Sequence, residues 1–351
     1  MSSQIPIIDL EPWFAGDDRL RRELCARVGQ VCHETGFFYI VNHGIPARLS
    51  ADYLSMMKAF FALPLEIRQA IDKHHSAQFR GWEQLGSELT NNEIDYREQI
   101  DIGVERNAIE NPDPYYMALV GPNQWPPELA LPGFREMVSD YFTRLSTVAQ
   151  QLLGIMSLSL GLDETHIERV FGENPSPYLK LIRYPRTLAG GQGVGVHKDS
   201  GFLTLLLQDE TAGLEAQAND NSWYCVDPIP GSLVVNTGEL LQLLTSNYFI
   251  ATPHRVFNGA ANERYSSAFF YSPDLNTALD PLPIDPGYID RVDRSERHRG
   301  EGLMASRAEL AAGTGGMQSR LRPAVFGEKY WQRWVRSYPD IARRFYPGLV
   351  E

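Results

Sequence analysis

A histidine and a carboxylate stand two residues apart in "GVGVHKDSGFLTLLLQ", as His197 and Asp199 ahead of a run of leucines. A neutral imidazole and a carboxylate that converge on one point can share a divalent metal ion. The pair alone is a weak motif, because eight histidines in so acidic a chain produce about one such pair by chance. A rival pair, His166 and Glu168, lies in "DETHIERVFG", where Asp163 as an N-cap and Gly172 as a stop predict a helix. On a helix, residues i and i+2 point apart and cannot grip one ion together. His197 and Asp199 enter a β-rich run, and on a strand such a pair projects from one face.

A metal site needs a further ligand. His254, after Pro253 in "YFIATPHRVFNG", sits at a strand entrance far enough downstream for the chain to cross a barrel and return. Two histidines and one carboxylate leave coordination positions open, as in non-haem Fe(II) oxygenases, with a zinc site as the competitor. Arg264 and Ser266, in "NERYSSAFFYSPD", share a strand face of their own. An arginine inside a barrel requires an anion, and a carboxylate gripped bidentately, with Ser266 donating a further bond, meets that need. The alternative is an arginine reaching solvent from an edge strand.

The surrounding pattern predicts the elements that hold these groups. "IPIIDL" alternates like a short strand, and Leu20, Leu24, Val28, Val31 and Cys32 share one face of a helix that Gly36 can stop. "FFYIVNHG" reads as a strand closed by a turn, and "PARLSADYLSMMKAFFALP" as a second helix ended by Pro64. A long helix runs from near Phe134 toward Gly161. From Tyr178 to about Pro273, short β-rich segments alternate with Gly, Pro and Asn turns, which suggests a closed jelly roll. A polar stretch over about 285–322 reads as a loop, lid or partly disordered segment. "FGEKYWQRWVRSYPDIARRF" reads as a final helix stopped by Pro339.

Composition narrows the function classes. A net charge of -12 without any lysine or arginine run argues against nucleic acid or an anionic membrane as the main partner. No apolar stretch reaches membrane-spanning length, the first residues carry no secretory pattern, and three cysteines without metal spacing suit a reducing compartment. The expectation is a cytoplasmic protein; its oligomeric state is open.

Together, "HKD", "HRV" and "RYS" spell the H-x-D…H…R-x-S pattern, and the chain resembles the isopenicillin N synthase-like branch of the Fe(II)/2-oxoglutarate-dependent oxygenases. "GFFYIVNHGIP", "RGWEQLGSE", "DYREQIDIG" and "SLVVNTGELLQLL" are similar to further blocks of that family. The resemblance implies an α+β fold with a double-stranded β-helix (jelly-roll) core flanked by N-terminal and C-terminal helices. It implies an N-terminal mixed region over 1–120, helical support over 121–175, the oxygenase core over 176–280, and the polar insertion with a C-terminal helix over 281–351. It implies that His197, Asp199 and His254 bind Fe(II), that Arg264 and Ser266 bind the distal carboxylate of 2-oxoglutarate, and that Tyr184 assists them. Lys180 and Phe270 fall at positions that line the substrate pocket in the family. The implied reaction consumes O2, oxidises a small organic substrate, and releases succinate and CO2. An isopenicillin N synthase-type oxidase acting on a peptide without 2-oxoglutarate, and a non-catalytic binding protein on the same barrel, are the alternatives. Lys198 between the ligands, Ile182 and the long polar insertion depart from the family pattern.

Overall fold

Three amphipathic helices bury one face each and so create a wall for a sheet. Asp18–Glu34 is capped by the Asp17 carboxylate, buries Leu24, Cys25, Val28, Val31 and Cys32, and ends at Gly36. Ala47–Phe61 buries Tyr53, Met57, Phe60 and Phe61, and the long helix Phe134–Ser159 lies between it and the first helix. The Tyr53 and Tyr141 rings stack at 4.0 Å. The computed structural model describes residues 5–90, 93–187, 191–259, 262–290 and 325–349.

The strands are β1 (Ile7–Asp9), β2 (Phe37–Val41), β3 (Gly81–Glu83), β4 (Leu89–Thr90), β5 (Glu93–Ile94), β6 (Glu98–Gly103) and β7 (Tyr178–Tyr184). Next come β8 (Gly191–His197), β9 (Leu203–Gln208), β10 (Leu214–Gln217), β11 (Trp223–Cys225), β12 (Leu233–Thr237), β13 (His254–Asn258) and β14 (Arg264–Tyr271). They form a large sheet in the order β1-β2-β12-β9-β14-β7-β6-β3, a smaller one in the order β11-β10-β13-β8, and the hairpin β4-β5. Alternation then gives the large sheet two distinct faces. Phe38, Ile40, Leu179, Leu181, Leu203, Leu205, Val235 and Phe269 pack outward against the helices in the main core. Phe37, Tyr39, Ile182, Tyr184, Val234 and Ala268 pack inward against Val194, Leu214, Ala216 and Val256 of the smaller sheet. The inward layer is the interior of a jelly roll, and the side chains aimed into it are the ones that can do chemistry.

The structure departs from the sequence reading in four places. Asp199 does not lie on a strand, since β8 stops at His197 and β9 begins at Leu203. The helix at His166–Phe171 is preceded by Thr165 rather than capped by Asp163. Pro339 starts a new helix, Pro339–Phe345, directly after Phe326–Ser337, because proline at the first position gives up a donor that no helix uses. Finally, β3 and β6 extend the large sheet from the N-terminal half. Most of the polar stretch at 285–322 lies outside the described residues; its start includes a short helix, Pro286–Asp290.

Candidate active site

His197 closes β8 and His254 opens β13, and the two stand opposite each other in the antiparallel register. Their ring centroids are 4.3 Å apart. Asp199 follows in the link from the small sheet to the large one, and its Oδ1 lies 3.6 Å from His197 Nε2 and 3.7 Å from His254 Nε2. Ligand atoms of all three fall within 4.8 Å of one another. The far side of each imidazole is fixed by backbone: Nδ1 of His197 meets the Gly195 carbonyl at 2.8 Å, and Nδ1 of His254 meets the Thr252 carbonyl at 3.0 Å. A carbonyl only accepts, so Nδ1 carries the proton and the Nε2 lone pair faces the shared point. Asp199 Oδ2 receives Thr204 Oγ1 at 2.6 Å and Asn236 Nδ2 at 2.7 Å, leaving Oδ1 for the same point.

Electrostatics keep the trio ready to ligate. Burial, with the neighbouring His254 adding to it against the pull of Asp199, pushes the His197 pKa down to about 4. Burial raises that of Asp199, but His254, His197 and the two hydrogen bonds outweigh it and hold the carboxyl below its usual range. At neutral pH His197 is therefore a neutral imidazole beside an ionised carboxylate. Metal binding needs both forms.

Arg264 begins β14 and is 2% exposed. Its Nη1 donates to Ser266 Oγ at 3.2 Å and Nη2 to Gln208 Oε1 at 2.8 Å, while Nε has no hydrogen-bond partner. Among the described residues no Asp or Glu forms an ion pair with it. The Tyr184 ring lies 5.0 Å from its guanidinium carbon, across the β7–β14 pair. Gly213 leaves room beside it: at φ +145°, an added Cβ would come within 3.3 Å of Arg264 Cδ and 2.7 Å of the Phe257 carbonyl. A buried guanidinium with neutral partners and a free donor is built for an anion that is not part of the chain.

Lys180 is buried on the inward face of β7, where it reaches Glu88 at 2.9 Å and Asp101 at 3.7 Å. Phe270 is half-buried on the same face, opposite Tyr178 and Thr204. Sequence reasoning missed Thr204, Asn236, Gln208, Glu88 and Arg97. Thr204 and Gln208 carried a signal, as the polar positions alternating with leucines along β9. Glu88 and Arg97 lay within the family-like blocks, but their pairing with each other and the reach of Glu88 to Lys180 of β7 emerge only in the fold.

Comparison with known proteins settles the class. Residues 5–128 match the family model described as non-haem dioxygenase in morphine synthesis N-terminal, and residues 176–273 match the 2OG-Fe(II) oxygenase superfamily. A 2-oxoglutarate-dependent dioxygenase, frbJ, of Dothideomycetidae sp. is 32% identical over 99% of this chain and 93% of its own. The chain belongs to the 2-oxoglutarate-dependent dioxygenases. A 2OG-Fe(II) oxygenase family protein of Caulobacter crescentus shares the dioxygenase's fold at a TM-score of 0.74 and 22% identity, covering 95% of this chain and 100% of that one. The structure of JOX2 in complex with 2OG, Fe and JA gives a TM-score of 0.65 at 26% identity, covering 80% and 78%. This dioxygenase is thus an Fe(II)- and 2-oxoglutarate-dependent oxidoreductase of small molecules, with a jelly-roll core.

Proposed function

We propose that His197, Asp199 and His254 hold the Fe(II) of this dioxygenase, and that Arg264 and Ser266, with Tyr184 beside them, take the distal carboxylate of 2-oxoglutarate. The single observation that carries the reading is the pairing of two donor sets, one from each sheet, at the jelly roll. Three convergent ligand atoms stand at one end, and an arginine whose Nε has no partner, and which pairs with no carboxylate among the described residues, stands at the other. Two imidazoles and a carboxylate suit Fe(II), since three protein donors leave room for a chelating co-substrate and O2. Bound there, iron and 2-oxoglutarate supply the oxidising chemistry, in which O2 is consumed, succinate and CO2 are released and a small organic substrate is oxidised.

The chain's own part is to hold and to exclude. The Gly195 and Thr252 carbonyls fix the imidazoles, Thr204 and Asn236 aim the carboxylate, and Ile182, Val194, Val256 and Ala268 keep the interior dry. The substrate enters beside Lys180 and Phe270. The arrangement supports placement in the isopenicillin N synthase-like branch, with Arg264 serving 2-oxoglutarate rather than a peptide. Free Cys25, Cys32 and Cys225 support a cytoplasmic setting. We read residues 1–120 and 121–175 as the N-terminal and helical support of a core at 176–280.

Anaerobic titration of the Fe(II)-loaded protein with 2-oxoglutarate tests this function. A visible metal-to-ligand charge-transfer band is expected, and it should vanish in His254→Ala. Iron binding with no band on adding 2-oxoglutarate would refute the co-substrate assignment, and no iron binding would refute the ligand set.

A further inference from the structure

Beyond the metal ligands, the inward face carries a second polar constellation that the oxidation chemistry does not use. Lys180 pairs with Glu88 and Asp101. Arg97 pairs with Glu88 and, at 3.3 Å, with Asp95. Lys73 pairs with Asp101 and, at 2.6 Å, with Glu83. The Tyr338 hydroxyl, between the two C-terminal helices, accepts from Lys73 Nζ at 2.6 Å and has its single proton shared between the Glu88 and Glu83 carboxylates. Three cations thus face four carboxylates in a largely buried space, so the signs nearly cancel.

This constellation borders the metal site. Asp95 accepts the Gly195 N–H at 3.2 Å, and the Gly195 carbonyl holds His197, so the segment bearing Glu88 and Arg97 is tied to the strand that presents a ligand. The Tyr96 N–H donates to the Gln192 carbonyl of that strand at 2.9 Å. Lys180 stands on β7, two strands from Thr204 of β9, which is roughly 10 Å at ordinary strand spacing. Phe270 lies on β14 between them. A small organic molecule is long enough to reach from the charges to the ligands.

Buried groups of both kinds lack hydrogen-bond partners in the constellation: Arg97 Nε, a donor, and Gln99 Oε1 with both Asp101 carboxylate oxygens, which are acceptors. A donor without an acceptor and acceptors without a donor describe a ligand that carries both. Net charge leads to the same class. A single anion would have to break an internal pair and leave a carboxylate uncompensated beside the one already in excess, which is costly in a buried site, and a single cation would leave Arg97 Nε without an acceptor. A molecule with both charges replaces the internal pairs sign for sign.

We propose that this constellation recognises the substrate, and that the substrate is a small zwitterion of the free α-amino-acid type, its carboxylate taken by Arg97 and Lys180 and its ammonium by Glu88 and Asp101. This rests on the function proposed above, so the test starts from the Fe(II)·2-oxoglutarate complex, whose charge-transfer band must already be present. The twenty protein amino acids are added singly, and both the change in the band and the release of succinate are followed. At least one is expected to perturb the band and raise succinate release about tenfold or more. Its deaminated acid and its decarboxylated amine should each bind about tenfold or more weakly than the amino acid. Glu88→Gln should erase the discrimination against the deaminated acid, and Lys180→Met that against the amine. If the band forms but no amino acid alters it, or if the single-charge analogues bind as well, the proposal is overturned. That comparison needs only the native enzyme. Absence of the band itself would instead overturn the underlying function.

Discussion

The two oxygens of Asp199 have separate duties. Oδ2 is held by Thr204 and Asn236, and Oδ1 is left for the ion. Thr204→Val or Asn236→Leu should therefore weaken Fe(II) binding by about 10–100-fold while thermal unfolding shows a retained fold, as measured by metal titration. Arg264→Lys should raise the 2-oxoglutarate concentration needed for half-maximal succinate release, because an ammonium cannot reproduce the planar fork. His197 predicts a pH effect in metal-free protein. Its folded pKa, near 4, lies below the ordinary 6.5, so between these values the unfolded chain binds more protons and stability rises with pH. Asp199 stays ionised across that window. Thermal midpoints in EDTA should climb from pH 4 to 6.5, and more shallowly in His197→Gln. The ligands and Arg264 were legible in the sequence because their chemistry and spacing are local. Asn236 was not, and Thr204 showed only as a polar break among the leucines of β9, since both act through a third side chain.

At the scale of elements, Gly36 shows how tightly the site is framed. It ends the helix Asp18–Glu34 at φ +58° and precedes β2. A Cβ there would stand 2.1 Å from the Ile250 carbonyl oxygen and 2.7 Å from Thr237 Oγ1. Thr237 ends β12, the strand that carries Asn236, and Ile250 lies in the approach to His254. Gly36→Ala should cost about 3 kcal/mol or more in chemical denaturation, from the strained backbone and the displaced carbonyl together. The helices Asp18–Glu34, Ala47–Phe61 and Phe134–Ser159, with β2, β7, β9, β12 and β14, were readable from periodicity and β-branched or aromatic runs. The glycine-rich β8 was not, because glycine weakens the local strand signal and pairing with β13 decides the matter. Asp199 was misplaced onto a strand for a related reason. The leucines after it belong to a different sheet from the histidine before it, and only tertiary pairing reveals the crossing.

At the scale of the whole molecule, the large sheet draws on both matched regions. The jelly-roll class was legible from the spacing of short strands, but the N-terminal contribution was not, since β6 gains its partner β7 from far along the chain and β3 joins the sheet only through β6. β12 pairs with β2 on one side, and β7 pairs with β6 on the other. Residues 176–280 by themselves would expose both flanks as raw edges, so that segment alone should aggregate on expression, as assayed by size-exclusion chromatography. Within the first matched region, just after β6, residues 107–111 are exposed and outside any helix or strand. Covalent continuity at that loop is therefore not what unites the molecule. A protease site placed there should yield two pieces that travel together in native chromatography, part only in denaturant, and when mixed again rebuild a single metal-binding particle. The protein is, in this sense, a self-assembled heterodimer whose two subunits happen to share one peptide chain.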